Sequence, residues 1–267
     1  MTVSPAERQF ILSQVNVLAA EQISLLWNHA EALTDINFAT YVKQAFPDVV
    51  TPFAGTAADL AANWYDETPS PTNYIAKPGA LPEPSMLEAS ASWALSATGR
   101  DAVGRMQGTA QRAIFDSARD TTLYNVDHEA GATWARHASA NACAFCVLMA
   151  TRGNVYASKK SALGVVGRGK DFSTNFNADG TRKSGGQAGG VKLRGTRKLG
   201  EKWHDHCHCT AIEVRPGGSY EPPPYVEDWN KAYRKAFNAV PDGMAYDSQN
   251  SVLKAVLSNM RSDLGSH

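Results

Sequence analysis

Long hydrophobic runs are missing from this 267-residue chain, and its start, Met1 to Gln9, has neither the basic flank nor the apolar core of a secretory leader. The expectation is a soluble globule with no membrane segment, kept in a cytosol. Cysteine is scarce, with four residues gathered in two short clusters. In a reducing compartment such thiols point to metal ligation or a reactive thiolate rather than to disulfides. Charge of one sign is also lacking: 26 bases stand against 26 acids. A chain-wide nucleic-acid footprint needs a basic balance and is therefore disfavoured. Catalytic motifs are thin. No G-x-S-x-G elbow occurs, and although His128-Glu129 begins like a zinc-protease helix, Ala132 stands where the second ligand histidine would be. His128 and His137 are read as surface or satisfied polar residues.

What is present is a helical pattern with two interruptions. Ser4-Pro5-Ala6-Glu7 is a capping box with proline at the first helical position. Leu12, Val15, Ala19, Ile23, Leu26, Ala30 and Leu33 then recur at spacings of three and four, the mark of a core-facing helix. A second helix is predicted over Pro52 to Asp66. The prolines at 69, 71, 78, 82 and 84 make 67–85 an extended connector. Ser85 to Asp120 reads as helix, with Val103, Met106, Ala110, Ala113, Ile114 and Ser117 on one face and Gly104 and Gly108 weakening it. Short β-type runs lie at Asn154–Ala157 and Thr210–Val214. After Gly217-Gly218 and Pro222-Pro223-Pro224, helices are expected around Trp229–Phe237 and Ser251–Leu264.

The implied architecture is mainly α with a small zinc-stapled α+β module. It comprises a helical N-terminal region (1–66), the Pro-rich connector (67–85), a helical plus zinc-binding module (86–214), and a Pro/Gly linker with C-terminal helices (215–267). Charge is unevenly spread: residues 1–100 carry ten acids and four bases, whereas 159–202 carry eleven bases and three acids. The second stretch is glycine-rich, so 159–202 is expected to be a mobile basic loop with local polyanion contacts.

Cys143-Ala144-Phe145-Cys146 is a C-x-x-C element, and His204-Asp205-His206-Cys207-His208-Cys209 supplies the other two cysteines with three histidines. Two short ligand turns brought together from distant segments are how small tetrahedral zinc sites are built. Five ligands are candidates for four positions: Cys143, Cys146, His204, Cys207 and Cys209. On an extended strand 207 and 209 share a face, while His206 and His208 point away. Trp134, Arg136 and Trp203 are placed to cover such a site. A redox C-x-x-C would cap a helix after a strand, but Trp134 to Ala142 reads as a lead-in loop. A Cys/His nucleophile pair, with His137 or His204 as base, needs an adjacency that the sequence does not show. Four simply buried thiols are the plain alternative.

Trp134-Ala135-Arg136, the C-x-x-C at 143–146, Arg152-Gly153 with Val155-Tyr156, a glycine-rich gap, and H-x-x-C-x-C at His204, Cys207 and Cys209 together resemble the phage Mu F-type minor head protein family, in the form found in phages of actinobacteria. The likeness is sharp over 134–214. It implies a virion protein of the capsid interior and portal vertex, made in the host cytoplasm, that associates with portal and capsid or scaffold proteins; in that setting the basic charge of 159–202 suits a local contact with packaged DNA. It carries Cys143, Cys146, His204, Cys207 and Cys209 over as conserved positions without a catalytic role. The expectation is a structural minor capsid protein rather than an enzyme, with one structural zinc ion per chain. The alternatives are a capsid maturation protease and a cytosolic zinc-ribbon nucleic-acid binder.

Overall fold

The computed structural model describes residues 2–35, 37–151, 207–241, 244 and 251–265. The fold is mainly helical: α1 (Pro5–Ala32), α2 (Phe38–Glu67), α3 (Pro84–Ala94), α4 (Gly99–His128), β1 (Thr133–His137), α5 (Ala144–Ala150), β2 (Thr210–Val214), α6 (Tyr225–Asn238) and α7 (Ser251–Leu264). The strands β1 and β2 make one small antiparallel sheet. The expected β-type run at 154–157 and the basic loop 159–202 lie outside the described residues.

Two compact units are present, Met1–Ala130 with His204–Gly218, and Gly131–Trp203 with Ser219–His267. In the first, α1 begins on the capping box: the Glu7 N–H donates to Ser4 Oγ at 3.3 Å, and the Ser4 N–H donates to Glu7 Oε2 at 2.9 Å. Leu12, Ala19, Ile23, Leu26 and Ala30 are buried as the periodicity predicts. By length and composition α1 could cross a membrane, contrary to the reading that no run approaches that length. Its inner face is nevertheless packed against α2 and α4.

Helix α2 starts at Phe38 under an Asn37 cap rather than at Pro52, and continues through Pro47 and Pro52. Proline costs a helix one hydrogen bond and crowds the preceding turn. Burial of Val42, Phe46, Val50 and Ala54 on α2 offsets that cost. The predicted helix over 85–120 is two helices, broken between Ala94 and Gly99, and the second runs on to His128. Gly99 has φ of 54°, a left-handed conformation that glycine adopts without steric penalty.

Among the described residues two parts of this unit's core are evident. Ile23, Leu26, Trp27, Phe46, Val50, Leu87, Ala91 and Met106 form one. Leu12, Ala57, Ala61, Trp64, Ile114, Phe115 and Ala118 form the other. In the second part the small side chains of Ala57 and Ala61 on α2 lie in one cluster with the large Trp64 and Phe115.

In the second unit α5 packs on β1, α6 and α7. Nearly all of α5 is buried: Ala144, Cys146, Val147, Leu148, Met149 and Ala150. Val226, Trp229 and Ala236 of α6 and Val252, Val256 and Met260 of α7 supply apolar surface. Tyr225 Oη donates to the Ala138 carbonyl at 2.8 Å and ties the start of α6 to the chain after β1.

Candidate metal centre

The first cysteine pair is shaped by a helix start. Cys143 is the N-cap of α5, and its Sγ accepts from the Cys146 N–H at 3.5 Å. The stretch before it is not the plain lead-in loop that the sequence suggested, because Thr133–His137 is β1. A strand followed by a cysteine-capped helix is the local setting in which a C-x-x-C thiol pKa can fall. A thiolate is also the form that binds metal, so this geometry suits ligation as well.

The second pair is fixed by side chains that reach it from α1 and α4. Residues 207–209 precede β2 in irregular conformation, so their carbonyls need partners outside any ladder. Arg119 of α4, 1% exposed, donates from Nη2 to the Cys207 carbonyl at 2.6 Å and from Nε to the Cys209 carbonyl at 2.8 Å. Gln9 of α1 donates from Nε2 to the His208 carbonyl at 2.6 Å. The His208 ring is gripped as well: Nδ1 lies 3.3 Å from Ser13 Oγ, Nε2 lies 2.8 Å from Gln111 Nε2, and the ring meets Phe115 edge-on at 5.3 Å. Every carbonyl of the tripeptide thus meets a side-chain donor, and Cys207 and Cys209 are turned inward while His208 stays at the surface.

Strand β2 is buried along its whole length, so its charged residue must be neutralised. Arg8 Nη1 bonds both oxygens of Glu213 at 2.8 Å. Immediately after the strand, Arg215 donates from Nε to Glu129 Oε2 at 3.0 Å and from Nη1 and Nη2 to the carbonyls of Tyr65, Thr68 and Tyr74. Burial alone would raise the Glu129 carboxyl. Hydrogen bonds from Arg215, Thr72, Tyr65 and Ser70 outweigh it and bring the pKa down to about 2. Tyr65 is pushed up by burial and by its bond to Glu129. This network clamps the connector after α2 and is not legible in the sequence. Arg8, Arg119, Glu213 and Arg215 carried no motif and Glu129 only the broken His128-Glu129 start, so placement inside or beside apolar periodic runs was the one signal of burial.

The sulfurs of Cys146, Cys207 and Cys209 lie within 4.8 Å of one another, each residue at most 4% exposed. All four cysteines are thiols rather than half-cystines. A zinc ion at about 2.3 Å from each sulfur sets neighbouring sulfurs roughly 3.8 Å apart, a separation within the span of this cluster. Cys143 is described but is not in this close set. His204, His206 and Trp203 lie outside the described residues. Trp134 and Arg136 are buried on β1, and the Arg136 guanidinium lies 5.9 Å from the Phe145 ring.

Of the two readings for His137, surface or satisfied polar residue, the second holds: it is 3% exposed, with Nδ1 3.4 Å from Tyr220 Oη. Burial lowers its pKa to about 4, so it is neutral at physiological pH. His128 is exposed, its Nδ1 2.6 Å from the Tyr124 carbonyl.

Comparison with known proteins places the chain in a phage-associated family, the match running over residues 5–236. The chain belongs to the VG15 protein family. That match takes in both cysteine pairs and the helices α1 and α4 that hold the second pair. No curated protein and no solved structure matches it.

Proposed function

We propose that this VG15 family chain is a minor head protein of the Mu F type, with a structural role in phage head assembly at the portal vertex. The observation that carries this reading is the burial of three converging thiols in a chain of a phage-associated family. A catalytic thiol must meet a substrate backbone, whereas the residues Cys146, Cys207 and Cys209 are only 1%, 4% and 3% exposed. Such a cluster suits a structural zinc ion. One ion per chain would be held by Cys146, Cys207 and Cys209, with Cys143 or His204 completing the set. The ion would supply folding free energy rather than chemistry.

Partners on this reading are the portal and the capsid or scaffold proteins. The eleven bases of 159–202 suit a local contact with packaged DNA. Two measurements test the role. The chain should be found in purified particles, and heads made without it should assemble or package defectively. Incubation of the full chain with its cognate capsid and scaffold proteins should leave both at intact mass. A specific cut would replace this reading with the capsid maturation protease.

A further inference from the structure

Helix α1 is apolar on two opposite sides. Leu12, Ala19, Ile23, Leu26 and Ala30 face the core, yet Phe10, Val17, Leu18 and Leu25 are 64%, 48%, 53% and 58% exposed. At 100° per residue these four fall on one flank of the helix, opposite the buried line. The exposed positions Glu7, Gln14, Glu21 and Asn28 alternate with and flank them on the same side, one every seven residues.

We propose that this flank is a docking surface for the same flank of a second copy, paired antiparallel about a two-fold axis between Val17 and Leu18. The residues read the same way from either end about that point. Antiparallel pairing sets Phe10 against Leu25 and Val17 against Leu18 of the other copy, so each apolar residue meets an apolar residue. It sets Glu21 against Gln14 and Glu7 against Asn28. Each acid on the flank therefore meets a neutral amide that can donate to it, and no two acids meet.

A two-fold contact must be complementary to itself, and this flank is. The flank carries two acids and no Lys or Arg, which disfavours an anionic membrane or a nucleic acid as occupant. The apolar residues extend over about 22 Å of helix, less than a standard interface requires. The association is accordingly weak, with a dissociation constant on the order of tens of micromolar to millimolar, and matters where copies are concentrated together.

Sedimentation of the full chain across that concentration range should show a monomer–dimer equilibrium. Gln14→Glu places like charges together at both symmetry-related contacts and should weaken the dimer about fivefold. Adding Glu21→Gln to it restores an acid–amide pair at each contact and should recover the wild-type constant. Leu18→Glu should leave only monomer, with unchanged circular dichroism. A monomer at every concentration would overturn the proposal, as would dimers insensitive to Gln14→Glu or not restored by the exchange. Binding of the wild-type chain, but not of Leu18→Glu, to neutral phosphatidylcholine vesicles in place of self-association would instead assign the flank to a lipid surface.

Discussion

Around Cys146 the chain is fixed by apolar burial: α5 is a single short helix whose side chains are almost all inside, and Cys143 caps its start. Around Cys207 and Cys209 the opposite solution is used. There the backbone is irregular, and its carbonyls are held by Arg119 and Gln9 while buried ion pairs hold the strand that follows. Apolar burial positions a helix but tolerates small shifts, since the forces are non-directional. Charged hydrogen bonds fix orientation and fail abruptly when one partner is lost. The two cysteine pairs should therefore respond differently to mutation and to pH.

The largest difference is expected at the ion pairs. Glu129→Ala leaves the Arg215 guanidinium buried without its carboxylate, and should cost about 3–5 kcal/mol in chemical denaturation. A loss below about 1 kcal/mol would mean that water reaches the pair and that polar clamping of 207–215 is overstated.

The pH response separates the two regions next. His137 has its pKa lowered to about 4, whereas an unfolded histidine titrates near 6.5. Between those values the unfolded chain binds a proton that the folded chain refuses, so stability falls as pH drops from about 6.5 to about 4, by roughly 3 kcal/mol. His137→Gln should remove that slope. The Glu129 carboxyl acts in the same direction over a lower window: its lowered pKa gives stability that is present above about pH 4.5 and is lost as pH falls towards 2. Glu129→Gln should flatten the acid limb alone. Identical slopes in the two variants would break the distinction.

Smaller effects should come from the side chains that shape the second cysteine pair. Arg119→Ala should cost about 2 kcal/mol and weaken zinc binding roughly 10- to 100-fold, because it frees two carbonyls beside the ligands. His208→Ala should cost about 1 kcal/mol through its lost contacts with Ser13, Gln111 and Phe115. Metal affinity read by chelator competition distinguishes a shaping residue from a merely stabilising one.

These effects also mark how far the sequence could be read. The capping box at Ser4, the inner face of α1 and the strand at Thr210–Val214 were legible because each is written in local spacing. Helix α2 was cut short because Pro47 and Pro52 are local stop signals that tertiary burial overrode. β1 was missed because Thr133–His137 mixes Thr, Trp, Arg and His without alternation. A buried strand residue of that kind is recognisable only once its partners are known. The convergence of Cys146 with Cys207 and Cys209 was suggested by residue type. The Arg119 clamp was invisible, because an arginine inside an amphipathic helix ordinarily faces water.

The central claim is that these thiols hold one zinc ion that stabilises the chain. Metal analysis of full-length protein purified without chelator, with thermal denaturation before and after zinc removal, tests it most directly. The account predicts about one zinc per chain, lost in Cys146→Ser and Cys207→Ser, and a marked fall in melting temperature when zinc is stripped. Metal-free protein with unchanged melting, in which Cys146→Ser costs no more than the loss of a small buried side chain, would contradict it.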